Sequence, residues 1–288
     1  MEYLLNLGIL FAIYGILALS LNMVVGKAGL LSLAHAAFFG IGAYATALGM
    51  TAFGMGFGTS LLAGAGINIA AAGIVGKILS RWKGDYYAIV SAGLAIIVFS
   101  VLLNWTELTR GPLGIFGIPR PEVFGFAVNT NLQYLILCLV ILGLAFAIYE
   151  WIDRSSFGRA LRAIREDEEL ASVMGYNTAM CKNIIFILAA VIAGTAGGLF
   201  ASYIAFIDPS TFQVHESIFL FTIIIIGGLA SSRGAILGAL ILIALPEVLR
   251  FIGLPHSIAA PMQQIIYGAA LVAIMIFMPK GFLGKYRM

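Results

Sequence analysis

Residues 183–207 read NIIFILAAVIAGTAGGLFASYIAFI, a run without a single Asp, Glu, Lys or Arg. As a helix rising about 1.5 Å per residue, this run is long enough to cross roughly 30 Å of hydrocarbon. Its apolar residues are continuous rather than alternating with period two, which favours a membrane helix over a strand of a membrane barrel. The stretch therefore predicts a helical integral membrane protein.

The composition extends this prediction to the whole chain, residues 1–288, as one transmembrane domain. Hydrophobic residues make up 61% and charged residues only 10%, whereas soluble domains have roughly 45–50% and about 25%. This excludes a soluble enzyme, a nucleic-acid-binding protein and a disordered regulator. The charge-free intervals predict an all-α polytopic membrane protein with about nine transmembrane helices, eight to ten being possible. The predicted spans are 3–25, 30–52, 59–79, 86–104, 132–151, 181–206, 216–231, 234–250 and 260–279.

The distribution of basic residues predicts the orientation, because cytoplasmic loops carry an excess of Lys and Arg. With nine spans and a cytoplasmic C-terminus, 13 of the 16 basic residues lie inside and only Arg110, Arg120 and Arg250 lie outside. The N-terminus is then outside. Two polar excursions interrupt the spans, an external loop at 105–131 rich in turn-forming Gly and Pro and a cytoplasmic loop at 152–180.

The cytoplasmic loop carries an amphipathic pattern. Arg159, Arg162 and Arg165 recur at every third position, and aliphatic residues between 161 and 173 add an apolar stripe. Such spacing predicts one amphipathic helix, with Gly175 as a candidate C-cap. On this pattern alone, two functions remain open: a helix that anchors the loop at the membrane surface, and a coupling helix that fits a groove on a soluble partner.

Glu169-Leu170-Ala171, followed after three residues by Gly175, resembles the coupling-loop signature of ABC importer permeases. That signature is Glu-Ala-Ala and then, three residues later, Gly, so Leu170 stands where the family often has Ala. The neighbouring run 158–166, GRALRAIRE, looks like the version found in branched-chain amino-acid permeases. Residues 26–44, GKAGLLSLAHAAFFGIGAY, resemble the corresponding segment of the LivM-type permease subunits of these importers.

The resemblance implies a multi-pass permease subunit in the cytoplasmic (inner) membrane of a bacterium or archaeon. It implies alternating-access transport of branched-chain or related hydrophobic amino acids. The implied partners are a sister permease subunit in a heterodimer, two cytoplasmic ATP-binding subunits and an extracytoplasmic substrate-binding protein. On this basis the expected ATPase-coupling residues are Arg159, Arg162, Arg165 and Glu169, with Gly175 shaping the turn.

Four residues are candidates for the substrate pathway: Ser32, His35, Tyr44 and Tyr86. An ionisable side chain within an apolar span is costly, so His35 is expected to face the bundle interior or a cavity. A neutral His35 bonded to a backbone carbonyl or to Ser32, and a direct substrate contact, both remain open. A metal site is not expected, because no second His or Cys lies at ligand spacing.

ATP hydrolysis by this chain is not expected. Gly76-Lys77 is followed by Ile78, without the Ser or Thr of a phosphate loop, so the chain is predicted to be a transport subunit and not an enzyme. It would bind no cofactor itself, and ATP and magnesium would be used by the partner subunits. Import of urea or short amides on the same fold remains an alternative. An ion-coupled secondary transporter is disfavoured, because it would need a midplane acid or coupling-ion site and the spans offer only His35 for it, and an intramembrane enzyme would need paired acids or metal ligands there.

Overall fold

The computed structural model describes residues 2–123 and 125–251, together with positions 268, 269, 272, 276, 278 and 281–284. The α-helices are α1 (Glu2–Asn22), α2 (His35–Thr51), α3 (Phe57–Leu79), α4 (Asp85–Asn104), α5 (Thr106–Thr109), α6 (Asn131–Arg154), α7 (Ser156–Glu166), α8 (Glu168–Val173), α9 (Thr178–Ile204), α10 (Val214–Gly227) and α11 (Ser232–Phe251). A 3-10 helix, Pro209–Phe212, precedes α10. One turn of π-helix, Met23–Lys27, continues α1.

Eight of the predicted spans coincide with helices, and the ninth, 260–279, falls largely outside the described residues. Among the described residues, five helices are long and apolar enough to cross a membrane: α1 with its π-turn, α3, α4, α6 and α9. The pair α10 and α11 adds a sixth candidate, bent by 117° at the break between the two helices. The chain is therefore a multi-pass membrane protein, and the count of nine crossings stays a prediction.

The helices divide into a buried centre and an exposed periphery. The apolar stretch of α9 is 61% buried, whereas those of α3 and α4 are 22% buried and that of α6 is 28% buried. Leu62, Ile89, Ile97 and Leu144 are more than half exposed on these outer helices. Such faces suit contact with lipid tails or with another membrane helix, and they leave α1, α2 and α9 as the packed centre.

The segment between α4 and α6 is an ordered cap without a long helix. It contains α5, a short 3-10 turn at Gly111–Leu113 and strands β1 (Ile115–Phe116), β2 (Glu122–Val123) and β3 (Phe126–Ala127). Strand β1 pairs in antiparallel register with β4 (Phe206–Ile207), which follows α9, and β2 pairs with β3. The cap thereby ties the ends of α4 and α9 together.

Candidate functional site

The second predicted span starts later than expected, because the chain before α2 is irregular. Residues 29–34, here called the α2 break, lie between the π-turn and His35, and Gly29 adopts a φ of +70°. Helix α2 alone covers about 25 Å, less than the roughly 30 Å of an apolar layer, so part of the predicted span 30–52 is not helical. Irregular backbone within a membrane span is tolerated only where protein buries it or a cavity adjoins it. Discontinuous helices of this kind form substrate sites in many transporters.

Serine side chains satisfy the backbone around the α2 break. Three buried hydroxyls accept hydrogen bonds from N–H groups of the break and of the first turn of α2: Ser91 from Leu33 at 3.0 Å, Ser32 from Ala34 at 3.3 Å and Ser217 from Ala36 at 3.0 Å. Because Ser91 belongs to α4 and Ser217 to α10, these bonds fix both helices against the start of α2. These three donors are thus already engaged within the chain.

His35 is the polar side chain at the centre of this region. It is fully buried, and neither ring nitrogen has a hydrogen-bond partner among the described residues, although the Ser20 backbone lies beside the ring. Ser32, one expected partner, instead accepts from Ala34. A buried polar group without a partner costs about 1–3 kcal/mol unless water or a ligand supplies one. His35 is therefore a buried polar group that the described protein atoms leave largely unsatisfied apart from the Ser20 backbone.

Tyr44 and Tyr86 occupy different environments. Tyr44 lies on α2 with its ring centroid 5.9 Å from that of Phe212, and within the described ranges its buried hydroxyl has no partner. It borders an apolar cavity of about 260 Å³ between α2, α3 and α4. Tyr86 is 67% exposed, whereas its neighbour Tyr87 is buried. Ser32 and His35 thus lie at the start of α2, Tyr44 lies about 13 Å farther along the helix, and Tyr86 lies on the surface of α4.

Helices α2 and α9 pack backbone against backbone. A methyl group at Gly42 would overlap the backbone of Gly194, and one at Gly197 would overlap the carbonyl of Phe39. Small residues allow membrane helices to approach this closely. Because no side chains lie between the helices at these points, a displacement of α9 is passed directly to α2.

The bend between α10 and α11 is held by Asn22, a fully buried residue at the end of α1. Its Oδ1 accepts from the N–H of Ala230 at 2.8 Å, and its Nδ2 donates to the carbonyl of Ser231 at 2.9 Å and more weakly to that of Gly228 at 3.4 Å. Ala230 has a φ of +59° and Gly228 of +114°. One amide side chain therefore satisfies backbone groups that the bend exposes.

The carbonyls that end α10 are satisfied by the last described segment of the chain. The N–H of Phe282 donates to Ile226 at 3.0 Å, and that of Leu283 donates to Gly227 at 2.9 Å. Nearby, Glu150 accepts from the Ser232 hydroxyl at 2.5 Å. The α10–α11 bend is thus braced by α1, α6 and residues 281–284 together.

The loop at 152–180 contains two helices where the spacing predicts one. Helix α7 ends at Glu166, and Asp167 adopts an extended backbone whose carboxylate accepts from the N–H groups of Glu169 and Leu170 at 2.9 and 3.0 Å. Asp is a favoured N-cap because it satisfies these otherwise unpaired donors. The prediction of a single helix is therefore wrong. Gly175 follows α8 with a φ of +90°, as a helix-ending glycine does.

The helix break also divides the predicted apolar stripe. Leu161 is buried, whereas Leu170, Val173 and Met174 are 52%, 83% and 66% exposed. These three residues are called the α8 patch below. The single apolar stripe expected over residues 161–173 is therefore divided at Asp167, with its α7 part buried and its α8 part exposed.

The three arginines of α7 do not share one role. Arg162 Nη1 contacts Asp153 Oδ1 at 2.6 Å, and Arg165 donates to the carbonyl of Gly26. Arg159 is exposed. Glu169 is also exposed and lies 3.4 Å from Lys83 Nζ. Of the predicted coupling residues, Arg159 and Glu169 are presented outward, while Arg162 and Arg165 hold α7 against the membrane helices.

Two nearly buried lysines, which the sequence analysis did not identify, anchor the same loop. Lys27 Nζ lies 2.5 Å from Asp153 Oδ1, and Lys182 Nζ of α9 lies 2.6 Å from Glu168 Oε1 of α8. Both lysine side chains are 2% exposed. A lysine at the end of an apolar run is, on its own, weak evidence for a buried ion pair. An Asn inside such a run, as at Asn22, is stronger evidence for a buried polar contact.

Comparison with known proteins places this geometry in context. The family described as the branched-chain amino acid transport system permease component matches residues 3–275. The high-affinity branched-chain amino acid transport system permease protein LivM of Escherichia coli K12 is 35% identical over 98% of this chain and 70% of its own length. The corresponding LivH protein of Salmonella typhimurium LT2 is 28% identical over 94% of this chain and 91% of its own. The solved structure of PsaBC from Streptococcus pneumoniae in complex with Fab covers 96% of this chain and 92% of its own chain, with 20% identity and a TM-score of 0.47.

Proposed function

This chain belongs to the family of branched-chain amino acid transport permeases, and from that premise we propose that it moves branched-chain amino acids as one permease subunit of an ATP-binding-cassette importer. The observation that carries the proposal is the similarity to LivM over 98% of the chain. Two structural features fit the role. The α2 break offers a site in the membrane interior, and the 152–180 loop offers an outward surface for a soluble partner.

The α8 patch is the proposed contact with an ATP-binding subunit. Three apolar side chains more than half exposed follow the exposed Glu169 in the chain, and Arg159 is exposed on the preceding helix α7; apolar groups accompanied by charged ones are the usual composition of a protein interface. Asp167 caps α8, and Glu168 is paired with Lys182. A helix fixed in this way would move together with α9 when a partner subunit displaces it.

The α2 break is the proposed substrate site. A hydrophobic amino acid needs an apolar environment with a few polar groups that fix its orientation. The fully buried ring of His35 lies beside the Ser20 backbone of α1, and the N–H of the next residue, Ala36, donates to Ser217 of α10, so His35 supplies a polar group in an otherwise apolar region. Ser32 shapes the break through its bond to Ala34, and Tyr44 lies farther along α2.

The proposed assembly follows from these surfaces and the family. The chain would pair with a sister permease, two cytoplasmic ATP-binding subunits and an extracytoplasmic binding protein in the inner membrane. We place the N-terminus outside and the C-terminus in the cytoplasm, with nine crossings, because this puts 13 of the 16 basic residues inside. The chain itself would hold no ATP, magnesium or metal, since the partner subunits would hydrolyse ATP. Movement of the ATP-binding subunits against the α8 patch would drive alternating access.

Uptake into proteoliposomes that contain the assembled importer tests the function. Labelled leucine, isoleucine and valine should accumulate only with ATP and the binding protein, and dissipation of the proton gradient should leave the rate unchanged. Labelled urea and acetamide should not accumulate. Uptake without ATP that stops on addition of an uncoupler would refute the importer assignment, and uptake of urea alone would refute the substrate assignment.

Reversal of charge at the loop tests the coupling surface. Glu169→Lys should abolish stimulation of the partner ATPase by binding protein, because it places a cation in the rim of the α8 patch, while the variant still inserts into the membrane. Glu107→Lys is the matched control, since Glu107 is also exposed but lies in α5, in the cap between α4 and α6. Normal transport by Glu169→Lys would contradict this contact.

A further inference from the structure

The carboxylate of Asp153 joins three elements at the base of the helix bundle. Asp153 lies in the last turn of α6, and its Oδ1 meets Lys27 Nζ of the π-turn at 2.5 Å and Arg162 Nη1 of α7 at 2.6 Å. Arg162 also donates to the backbone carbonyl of Asp153 at 3.1 Å. The Lys27 ammonium lies 5.0 Å from the centroid of the Tyr149 ring, one turn earlier on α6. These residues are called the Asp153 cluster.

The same face of α7 rests directly on the chain that leads into the α2 break. Arg165 donates to the carbonyl of Gly26, next to Lys27. A methyl group at Gly29 would crowd Arg165 Cγ at 2.9 Å, and Gly29 requires a φ of +70°. From Gly29 the chain reaches Ser32 and His35 within six residues. Displacement of α7 therefore has a short path to the α2 break, with no flexible linker between them.

The chemistry of the Asp153 cluster favours a mechanical role over simple stabilisation. Taking two opposite charges out of water costs several kcal/mol per ion, so a buried ion pair is weak evidence for stability, and apolar residues of similar volume often replace it without loss. What an apolar replacement cannot supply is a short, directional bond from one carboxylate to two cations on separate elements. The cluster thus fixes the distance and angle between α6, the π-turn and α7.

We propose that Asp153, Lys27 and Arg162 are positioning residues that transmit movement of the 152–180 loop to the α2 break. The proposal rests on the proposed function, since it names how the ATP-driven movement reaches the substrate site. When the ATP-binding subunits move α8 and α7, Arg162 carries the Asp153–Lys27 pair with it, and the π-turn shifts the start of the α2 break. The Glu168–Lys182 pair drives α9 in parallel, and the close contact of α9 with α2 completes the movement.

The test uses the assembled importer in nanodiscs and a reporter that requires no substrate. Leu31→Cys, a half-buried position in the α2 break, is introduced with Cys138→Ala and Cys181→Ala so that it carries the only thiol. Its reaction rate with a soluble maleimide is measured without nucleotide and with ATP plus vanadate. The parent should show at least a tenfold difference between the two states. Lys27→Met/Asp153→Leu should reduce that difference to less than twofold while ATPase activity stays within threefold of the parent.

Two further variants keep the test decisive. Arg162→Gln removes the link from the loop side and leaves the buried Lys27–Asp153 pair intact, so it should reduce the nucleotide-dependent difference at least threefold even if the double variant fails to assemble. Arg154→Gln is the matched control, because Arg154 is adjacent in sequence but 82% exposed and pairs only along its own helix with Glu150 at 3.4 Å. It should behave as the parent does.

The outcomes separate the transmission proposal from the proposed function. A full tenfold difference in Arg162→Gln, or in an assembled double variant, overturns the role of the Asp153 cluster, as does a parent that shows no nucleotide-dependent reactivity. A parallel loss of ATPase activity and reporter response in Arg162→Gln also overturns it, because that pattern indicates a structural role. If the parent takes up no branched-chain amino acid but the reporter responds as expected, the substrate assignment fails and the transmission proposal stands.

Discussion

Replacement of the fully buried Asn22 by leucine should destabilise the protein. Leucine has the same number of side-chain heavy atoms as asparagine in the same branched arrangement, but it can neither accept from Ala230 nor donate to Ser231, the two bonds of 2.8 and 2.9 Å that hold the α10–α11 bend. Both backbone groups would then lose the partner that they have in the wild type. Because Ala230 is fully buried and a buried donor without a partner is costly, we expect a measurable loss of stability.

The magnitude follows from these two bonds. A buried polar group left without a partner costs about 1–3 kcal/mol in soluble proteins, so two groups cost about 2–6 kcal/mol. Hydrogen bonds between membrane helices contribute on average about 0.6 kcal/mol in double-mutant cycles, which places the expected loss for Asn22→Leu in the lower half, about 2–4 kcal/mol. At about 2–4 °C per kcal/mol for a chain of this size class, the melting temperature should fall by about 4–16 °C.

The assay is thermal unfolding of the purified protein in detergent, followed by a thiol-reactive dye or by loss of the monodisperse peak on size exclusion. Asn104→Leu is the control, because Asn104 makes one exposed bond to Ser100 within its own helix at 2.8 Å, and its loss should shift the midpoint by less than 2 °C. A melting temperature for Asn22→Leu that equals that of Asn104→Leu would refute the role assigned to Asn22.

Three further predictions concern the membrane interior. Gly42→Val should prevent close approach of α2 to α9 and remove folded protein from the membrane, whereas Gly66→Ala, with open space around its Cβ, should be expressed normally in the same quantitative blot. Ser217→Ala should lower stability by about 1–2 kcal/mol in the same melt, because Ala36 loses its acceptor, and Ser80→Ala, at an exposed helix end, should not. His35→Leu should leave the melting temperature equal or higher, since it removes two buried nitrogens that lack hydrogen-bond partners. Leucine uptake by the same variant should fall at least tenfold. A lower melting temperature with full uptake would indicate that His35 serves packing alone.

The position of each long helix could be predicted from the sequence, because the absence of charge over a length set by the membrane is a local property. The α2 break could not, since its residues are as apolar as those of a helix and only Gly29 hints at a turn. The break at Asp167 did carry a local signal, an Asp followed by Glu168 and Glu169, which is typical of a helix start. The regular spacing of Arg159, Arg162 and Arg165 just before it favoured one continuous helix instead.

The candidate site was only partly predictable, for a related reason. His35 is conspicuous as an ionisable residue within an apolar run. Its surroundings depend on Ser91 and Ser217, which lie 56 and 182 positions farther along the chain (91 − 35 and 217 − 35). The same holds for Lys27 and Asp153, which meet only because α1 and α6 pack side by side. A single sequence contains no record of such long-range pairs.

The bonds from Phe282 and Leu283 to the end of α10 impose an order on biosynthesis. The carbonyl of Ile226 reaches the membrane 56 residues before its donor, Phe282, has been translated (282 − 226). At about 5–20 residues per second, the ribosome needs roughly 3–11 s to supply that donor. During this interval water or the insertion machinery must supply other partners for these carbonyls, because lipid tails offer no hydrogen bonds. The α10–α11 bend therefore gains its full set of hydrogen bonds only after residues 281–284 have been translated, and nascent chains that stall earlier present an unfinished bend to the quality-control proteases of the membrane.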